Sequence, residues 1–487
     1  MEATQFDRLR EGSIGLPQVL FQSITHMAPG AAIAFSILVS VQFAGVALPL
    51  AVLCALIACV LVANSIGQLA KQIPSAGGLY AYVSRALGPR IGFMVGWVYL
   101  IFEPLVAPLL FLIFAWATED VVKNDIGWDI GWAWWVLLAA GIVFFLTYRD
   151  VRLSTNAGVA LGIFEIAVFV ALSAWMLLSH LGDLSLAPFD PTNNEVGTLT
   201  GTFKGMVFAI LAFIGFEAAA PLGEEARHPR WTIPRAVVGS AFLIGLFYVF
   251  CSYAWVIGTG LGDFTKVTTA AANPWRDLGE VYWSGGWVLI FFAIINSAIA
   301  NANAGVNAAT RVIYAMGRIG VLPHAFARTH PVHKTPHVAI ITQSVFAVVL
   351  ALLFGWKWGP LTGFVVMATA LTILVILVYI TTCIACLVFY RRERPQEWNP
   401  WLHGVVPMLG AVAFIAPLWY QYRPLPDYPM RYANWFALIW IALGIVVTWW
   451  MATNRREALE NAGRIFVDDR EPPAERIEAP PAPAAGS

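Results

Sequence analysis

Three carboxylates, Glu103, Glu165 and Glu217, fall inside long apolar runs, whereas the lysines and arginines lie in loops or near run ends. A carboxylate removed from water with no cationic partner binds a cation or takes up a proton, because burial penalises its charged form. The interior is therefore expected to favour amines, protons or metal cations. His26 abuts the sequence Met27-Ala28-Pro29-Gly30, where it would sense pH, touch a solute, or serve as a hydrogen-bonded packing histidine. The polar row Asn296, Ser297, Asn301, Asn303 and Asn307 is partly helical in spacing, and some of its members are expected to glue helices together. No nucleophile, base and orienter stand together in the apolar runs, so no catalytic residues are assigned and no enzyme is expected. No metal site is assigned either. Cys383 and Cys386 form a C-x-x-C on an apolar run without further ligands and are read as packing residues. His324, His330, His333 and His337 share a basic loop and are read as solvated.

The elements that must position these groups are membrane helices. Hydrophobic residues make up 59% of the 487, charged residues only 12%, and mean hydropathy is +0.71, as in a polytopic membrane protein. A span needs about 20 apolar residues, and roughly twelve such runs can be marked: Val19–Gln42, Val46–Gly67, Ile91–Ala117, Trp132–Tyr148, Ala157–Leu181, Thr202–Leu222, Ala236–Thr259, Gly285–Asn307, Val338–Gly355, Leu361–Phe389, Val405–Tyr420 and Asn434–Met451. Balanced charge, 29 basic against 29 acidic residues, provides no field that would recruit nucleic acid. Gly258-x-Gly260-x-Gly262 follows no strand and is not read as a nucleotide motif.

Two runs are interrupted, the first at Met27-Ala28-Pro29-Gly30 and the sixth around Phe213-Ile214-Gly215, with Pro221 soon after. A break inside a bilayer strands peptide groups at several kcal/mol each unless protein, water or a ligand satisfies them. Prolines at 49, 104, 108 and 417 also fall in spans, so a simple kink is the competing reading. With the N-terminus inside, the inner loops and tail collect 22 of the 29 basic residues and the outer loops 7, which places both termini in the cytoplasm. Five spans precede the second interrupted helix, and five is odd, so the two breaks are counterparts in an inverted repeat. A zwitterion would use both, its carboxylate at half-helix N-termini and its ammonium at free carbonyls.

Several stretches together resemble the amino acid/polyamine/organocation permeases: Ile73-Pro-Ser-Ala-Gly-Gly-Leu-Tyr-Ala-Tyr-Val-Ser-Arg-Ala-Leu-Gly-Pro89 with Gly96-Trp97; Phe213-Ile-Gly-Phe-Glu217 with Glu224-Glu225-x-x-x-Pro229 and Ile233-Pro234-Arg235; and Asn307-Ala-Ala-Thr-Arg311 through Pro323 with Lys334-Thr335-Pro336. The resemblance implies an all-α integral membrane protein of about twelve helices, with a leucine-transporter-like five-plus-five inverted repeat and broken first and sixth helices. It further implies that Met27, Ala28, Pro29, Gly30, Ala31, Ala212, Phe213, Ile214 and Gly215 line the backbone-like part of a substrate. Many members carry a Gly-x-Gly run in the first break, where this chain has Pro29 before Gly30. By the same resemblance Glu103 stands where members with cationic substrates hold an acid facing the substrate. Glu165 falls where a lysine replaces sodium in sodium-independent members; it would carry a proton, or join Ser297 and Asn301 around sodium, or make a structural hydrogen bond. Glu217 is expected to cap a half-helix N-terminus.

The resulting expectation is a secondary active transporter that moves amino acids, polyamines or other amines across the cell membrane by alternating access as a proton-coupled symporter, with exchange or sodium coupling as alternatives and a non-transporting sensor as the reading of another class. A proton or sodium gradient stands in place of any cofactor. Its partners are the small solute and lipid; the sequence does not give the oligomeric state. Residues 1–18 are read as a cytoplasmic segment, 19–390 as the core, 391–453 as two peripheral helices and 454–487 as a disordered tail.

Overall fold

Prolines open many of the helices. Pro89, Pro229, Pro274 and Pro360 each stand at the first turn, where the missing N–H costs nothing and the fixed φ suits a helix. The computed structural model describes residues 9–461 except 195, 196, 271, 272 and 424. The first span is α1 (Leu16–His26), the short α2 (Pro29–Ala31), a π-helical stretch (Ala32–Ser36) and α3 (Leu38–Ala44). There follow α4 (Leu48–Gln72), the short α5 (Gly78–Leu87), α6 (Pro89–Phe102), α7 (Val106–Val121), α8 (Trp132–Arg149) and α9 (Val151–Ser179). The sixth span is α10 (Leu199–Ala209) with 3-10 turns at Ile210–Phe213 and, past the break, Phe216–Leu222. The remainder is α11 (Pro229–Thr259), α12 (Phe264–Ala270), α13 (Pro274–Trp283), α14 (Trp287–Arg318), α15 (His337–Trp358), α16 (Pro360–Arg392), α17 (Val406–Ala413), α18 (Ile415–Tyr422), α19 (Arg431–Asn454) and α20 (Arg456–Asn461). Among the described residues eleven helices are long and apolar enough to cross a membrane, and the fragmented first span brings the set to the expected twelve.

Helices that are counterparts in a five-plus-five repeat pack on one another. α4 lies on α11, α7 on α14, α3 on α10, and α1 on the turn that follows the second break. Small side chains let them approach: Ala51, Ala55, Ala58 and Ala63 of α4 are fully or almost fully buried. On the outside, α8, α15 and α19 expose Leu137, Phe145, Val345, Leu353, Ile439 and Val446, an apolar girdle that only lipid covers at low cost. Trp128, Trp134 and Trp356 are exposed at one rim, where indoles anchor at a membrane interface.

Three details depart from expectation. The third span is also interrupted, because Pro104 follows Glu103 between α6 and α7, and the Pro104 carbonyl accepts from Gln343 Nε2 at 3.0 Å. The eighth span continues past Asn307 to Arg318, which draws Arg311 into the protein. The tail expected to be disordered from 454 begins with α20, whose Leu459 packs on Phe93 and Met451; residues 462–487, like 1–8, lie outside the described part.

Candidate functional site

The first break turns on Ala28, which adopts the left-handed conformation at φ 48°, ψ 61°. Pro29 excludes the right-handed helix from the residue before it and brings no N–H to be stranded, so the helix stops at His26 and restarts at Pro29. The restarted helix presents the N–H groups of Gly30 and Ala31. Side chains from other spans accept them: Glu165 Oε2 of α9 takes Gly30 N–H at 3.0 Å, and Ser297 Oγ of α14 takes Ala31 N–H at 3.1 Å. Gly30 is crowded by Phe169, Glu165 and the Ala293 carbonyl, so a larger residue would push the capping acid away. The anion site expected at this N-terminus is thus occupied by the protein's own carboxylate and hydroxyl, and a solute carboxylate does not have it to itself.

The second break turns on Gly215 at φ 122°, where a side chain would meet the backbone of His26. Glu217 Oε2 accepts the Gly215 N–H at 3.0 Å and the Tyr379 hydroxyl at 2.5 Å, so Glu217 caps the broken end and does not face the cavity described below. Two further side chains join the breaks. The Tyr248 hydroxyl lies 2.8 Å from the Met27 carbonyl and 3.0 Å from that of Ala212, one from each break. Ser23 donates to the Phe216 carbonyl at 2.7 Å and accepts the Ala219 N–H at 3.0 Å. Tyr248, Tyr379 and Ser23 were not among the residues singled out from the sequence. The available signal was chemical: a phenol in an apolar run needs a partner once buried.

A cavity with about 600 Å³ of atom-free space, its mouth included, lies beside the breaks. Of the expected substrate-lining residues, Met27, Ala28, Ala31, Ala212 and Ile214 line it, whereas Pro29, Gly30, Phe213 and Gly215 lie behind its wall. Glu103 is also behind the wall. It is fully buried, with Oε1 3.1 Å from Nε2 of His26, and it is His26 that reaches the cavity. Asn301 lines the cavity too, apart from the peptide-capping role of Glu165 and Ser297. The rest of its α14 row is glue as expected: Asn303 and Asn307 hydrogen-bond Ser154 of α9, and Asn296 the Leu161 carbonyl.

The expectation that no basic group enters the interior is corrected by Arg311. It is fully buried on α14 and pairs with Glu225, Nε to Oε2 at 2.9 Å and Nη2 to Oε1 at 3.3 Å, with Asn307 Oδ1 accepting at 2.9 Å. Around this pair several segments of the chain are tied together. The Glu225 carbonyl accepts the N–H groups of Ser13 and Ile14 at 2.8 and 3.2 Å, and Arg227 N–H returns to the Ile14 carbonyl. Arg10 pairs with Asp150 and Arg318 with Glu224. Among the described residues no group of three metal-ligating side chains assembles, and the cysteines are free. In the basic loop His330 Nδ1 accepts N–H groups of Val332 and His333, and burial, then the neighbouring His333, push its imidazole below the ordinary range.

A family profile described as "Amino acid permease" matches residues 14–461. The chain belongs to that family. This permease is 27% identical over 415 residues to the low-affinity putrescine importer PlaP of Escherichia coli K12, covering 82% of this chain and 84% of the relative. It is 27% identical over 418 residues to the glutamate/serine transporter AimA of Bacillus subtilis, covering 81% and 72%. To the branched-chain amino acid permease BcaP of the same organism it is 23% identical over 428 residues, covering 83% and 85%. A crystal structure of a manganese transporter variant from Eremococcus coleocola superposes with TM-score 0.59 at 12% identity, over 91% of this chain and 94% of that one, which shows a shared fold. The permease is therefore a multi-pass membrane transporter and not an enzyme.

Proposed function

We propose that this permease moves an amino acid or related amine across the cell membrane by alternating access through the cavity beside its two breaks, with a proton carried at Glu165. The observation that carries this reading is the convergence of the breaks: Ala28 and Ile214, one from each, wall a single cavity. Glu165 supports coupling through its place. It holds the N–H of Gly30, two residues from Ala28, so a change in its charge changes a contact that fixes the first break. Proton is favoured over sodium because Glu165 Oε2 and Ser297 Oγ, two oxygens a sodium ion would take, already accept from peptide N–H groups. The driving force is a gradient and no cofactor takes part. Both termini are cytoplasmic, in keeping with the excess of basic residues on that side.

Glu165→Gln in proteoliposomes tests the coupling. The amide oxygen still accepts from Gly30, so folding and solute exchange are expected to persist while accumulation driven by a pH gradient is lost. Accumulation unchanged from wild type would remove Glu165 from the coupling role.

A further inference from the structure

The buried carboxylates led to the expectation of a cation-selecting interior, but none of them reaches the cavity. Glu165 is turned to Gly30, Glu217 to Gly215 and Tyr379, and Glu103 stands behind His26. Most of the cavity lining is apolar and drawn from several spans: Phe35, Val106, Leu109 and Ile113 from the first and third, Phe364 and Leu371 from the tenth. An ammonium at the end of a solute's side chain would lose its water there and meet no carboxylate, an arrangement that costs far more than it returns. A branched or aromatic side chain would meet surfaces of its own kind.

The polar side chains of the lining are His26 and Asn301, beside the breaks, and Ser36, further along the first span. Asn301 is 8% exposed, and its Oδ1 has no hydrogen-bond partner among the described residues. His26 reaches the cavity with its Nε2 committed to Glu103 and its Nδ1 without a partner among the described residues. A few polar groups in an otherwise apolar chamber are the complement of a molecule with one charged head and a greasy tail.

We infer that the solute is an amino acid with an uncharged apolar side chain, of the size of valine to phenylalanine, whose ammonium is received by Asn301 Oδ1 and whose side chain fills the chamber between α7 and α16. This inference rests on the transport reading above and narrows it, setting aside diamines and basic amino acids as substrates. His26, held against Glu103, is a positioning residue beside the breaks.

The test is ligand-induced stabilisation of the purified full-length protein in detergent, followed by competition for uptake in proteoliposomes, with L-leucine, L-phenylalanine, L-alanine, L-lysine and putrescine as probes. Leucine and phenylalanine are expected to bind about tenfold to a hundredfold more tightly than alanine, from the added apolar area. Lysine and putrescine are expected neither to stabilise nor to compete. Ala368→Leu, which narrows the chamber, should collapse the ratio of leucine to alanine binding while alanine still binds; should that variant not fold, Leu371→Ala should move the preference toward tryptophan. Putrescine or lysine binding as well as leucine overturns the inference and leaves the transport reading standing. If none of the five probes binds or is carried, the inference falls, and the transport reading falls with it only if a mixture of the twenty amino acids is not carried either.

Discussion

Replacing Gly215 by alanine would place a methyl carbon 2.6 Å from the carbonyl carbon of His26, 2.7 Å from its oxygen and 2.8 Å from its Cδ2. Two of those atoms belong to backbone that cannot swing aside. A positive φ costs an L-residue about 1–2 kcal/mol, and forcing extra volume into a packed contact adds about 1–3 kcal/mol. The expected loss is thus about 2–5 kcal/mol by these figures, and its relief requires the two breaks to move apart. Gly260→Ala provides the control. Gly260 has φ +93° but nothing within 4 Å, so its alanine bears only the backbone cost, about 1–2 kcal/mol. Unfolding midpoints in detergent and initial uptake rates in proteoliposomes would be measured for both. Gly215→Ala should be the less stable and should lose uptake, whereas Gly260→Ala should keep it. If the two variants match in both measurements, close contact between the breaks does not matter.

Arg311→Met should destabilise the protein by about 3–5 kcal/mol, since Glu225 is left charged and buried, whereas Arg311→Met with Glu225→Leu should recover most of that loss; a double variant no more stable than the single one would contradict the pairing. Tyr248→Phe removes the hydroxyl shared by the Met27 and Ala212 carbonyls and should cost about 1–3 kcal/mol in unfolding measurements together with a drop in uptake. Wild-type stability and uptake in that variant would mean that the hydroxyl does not tie the breaks together.

The span count and the positions of both breaks were legible because each has a local cause: Pro29 after Ala28, and Gly215 at a φ that suits glycine. The break in the third span was hidden by the same logic, since Pro104 looks like Pro108 and Pro234, which α7 and α11 absorb without interruption. The acids were found but their targets were not. Glu165, Glu103 and Glu217 each turn to a partner from another span, Gly30, His26 and Tyr379, and sequence order carries no record of which spans become neighbours. Arg311 is read as lying near a run end because Asn303, Asn307 and Arg311 punctuate the sequence there, although α14 itself continues for eleven residues past Asn307. A few polar residues in a buried helix resemble the edge of a solvated loop when only the sequence is read.

Glu225 holds two segments from opposite ends of the same residue, its side chain on Arg311 and its peptide oxygen on Ser13 and Ile14. Pulling α14 away drags on the strand of chain leading into α1, and withdrawing that chain loosens the grip on α14. The two cannot let go one after the other without leaving a charge or a peptide group bare in between. Loss of either contact is therefore expected to weaken the other.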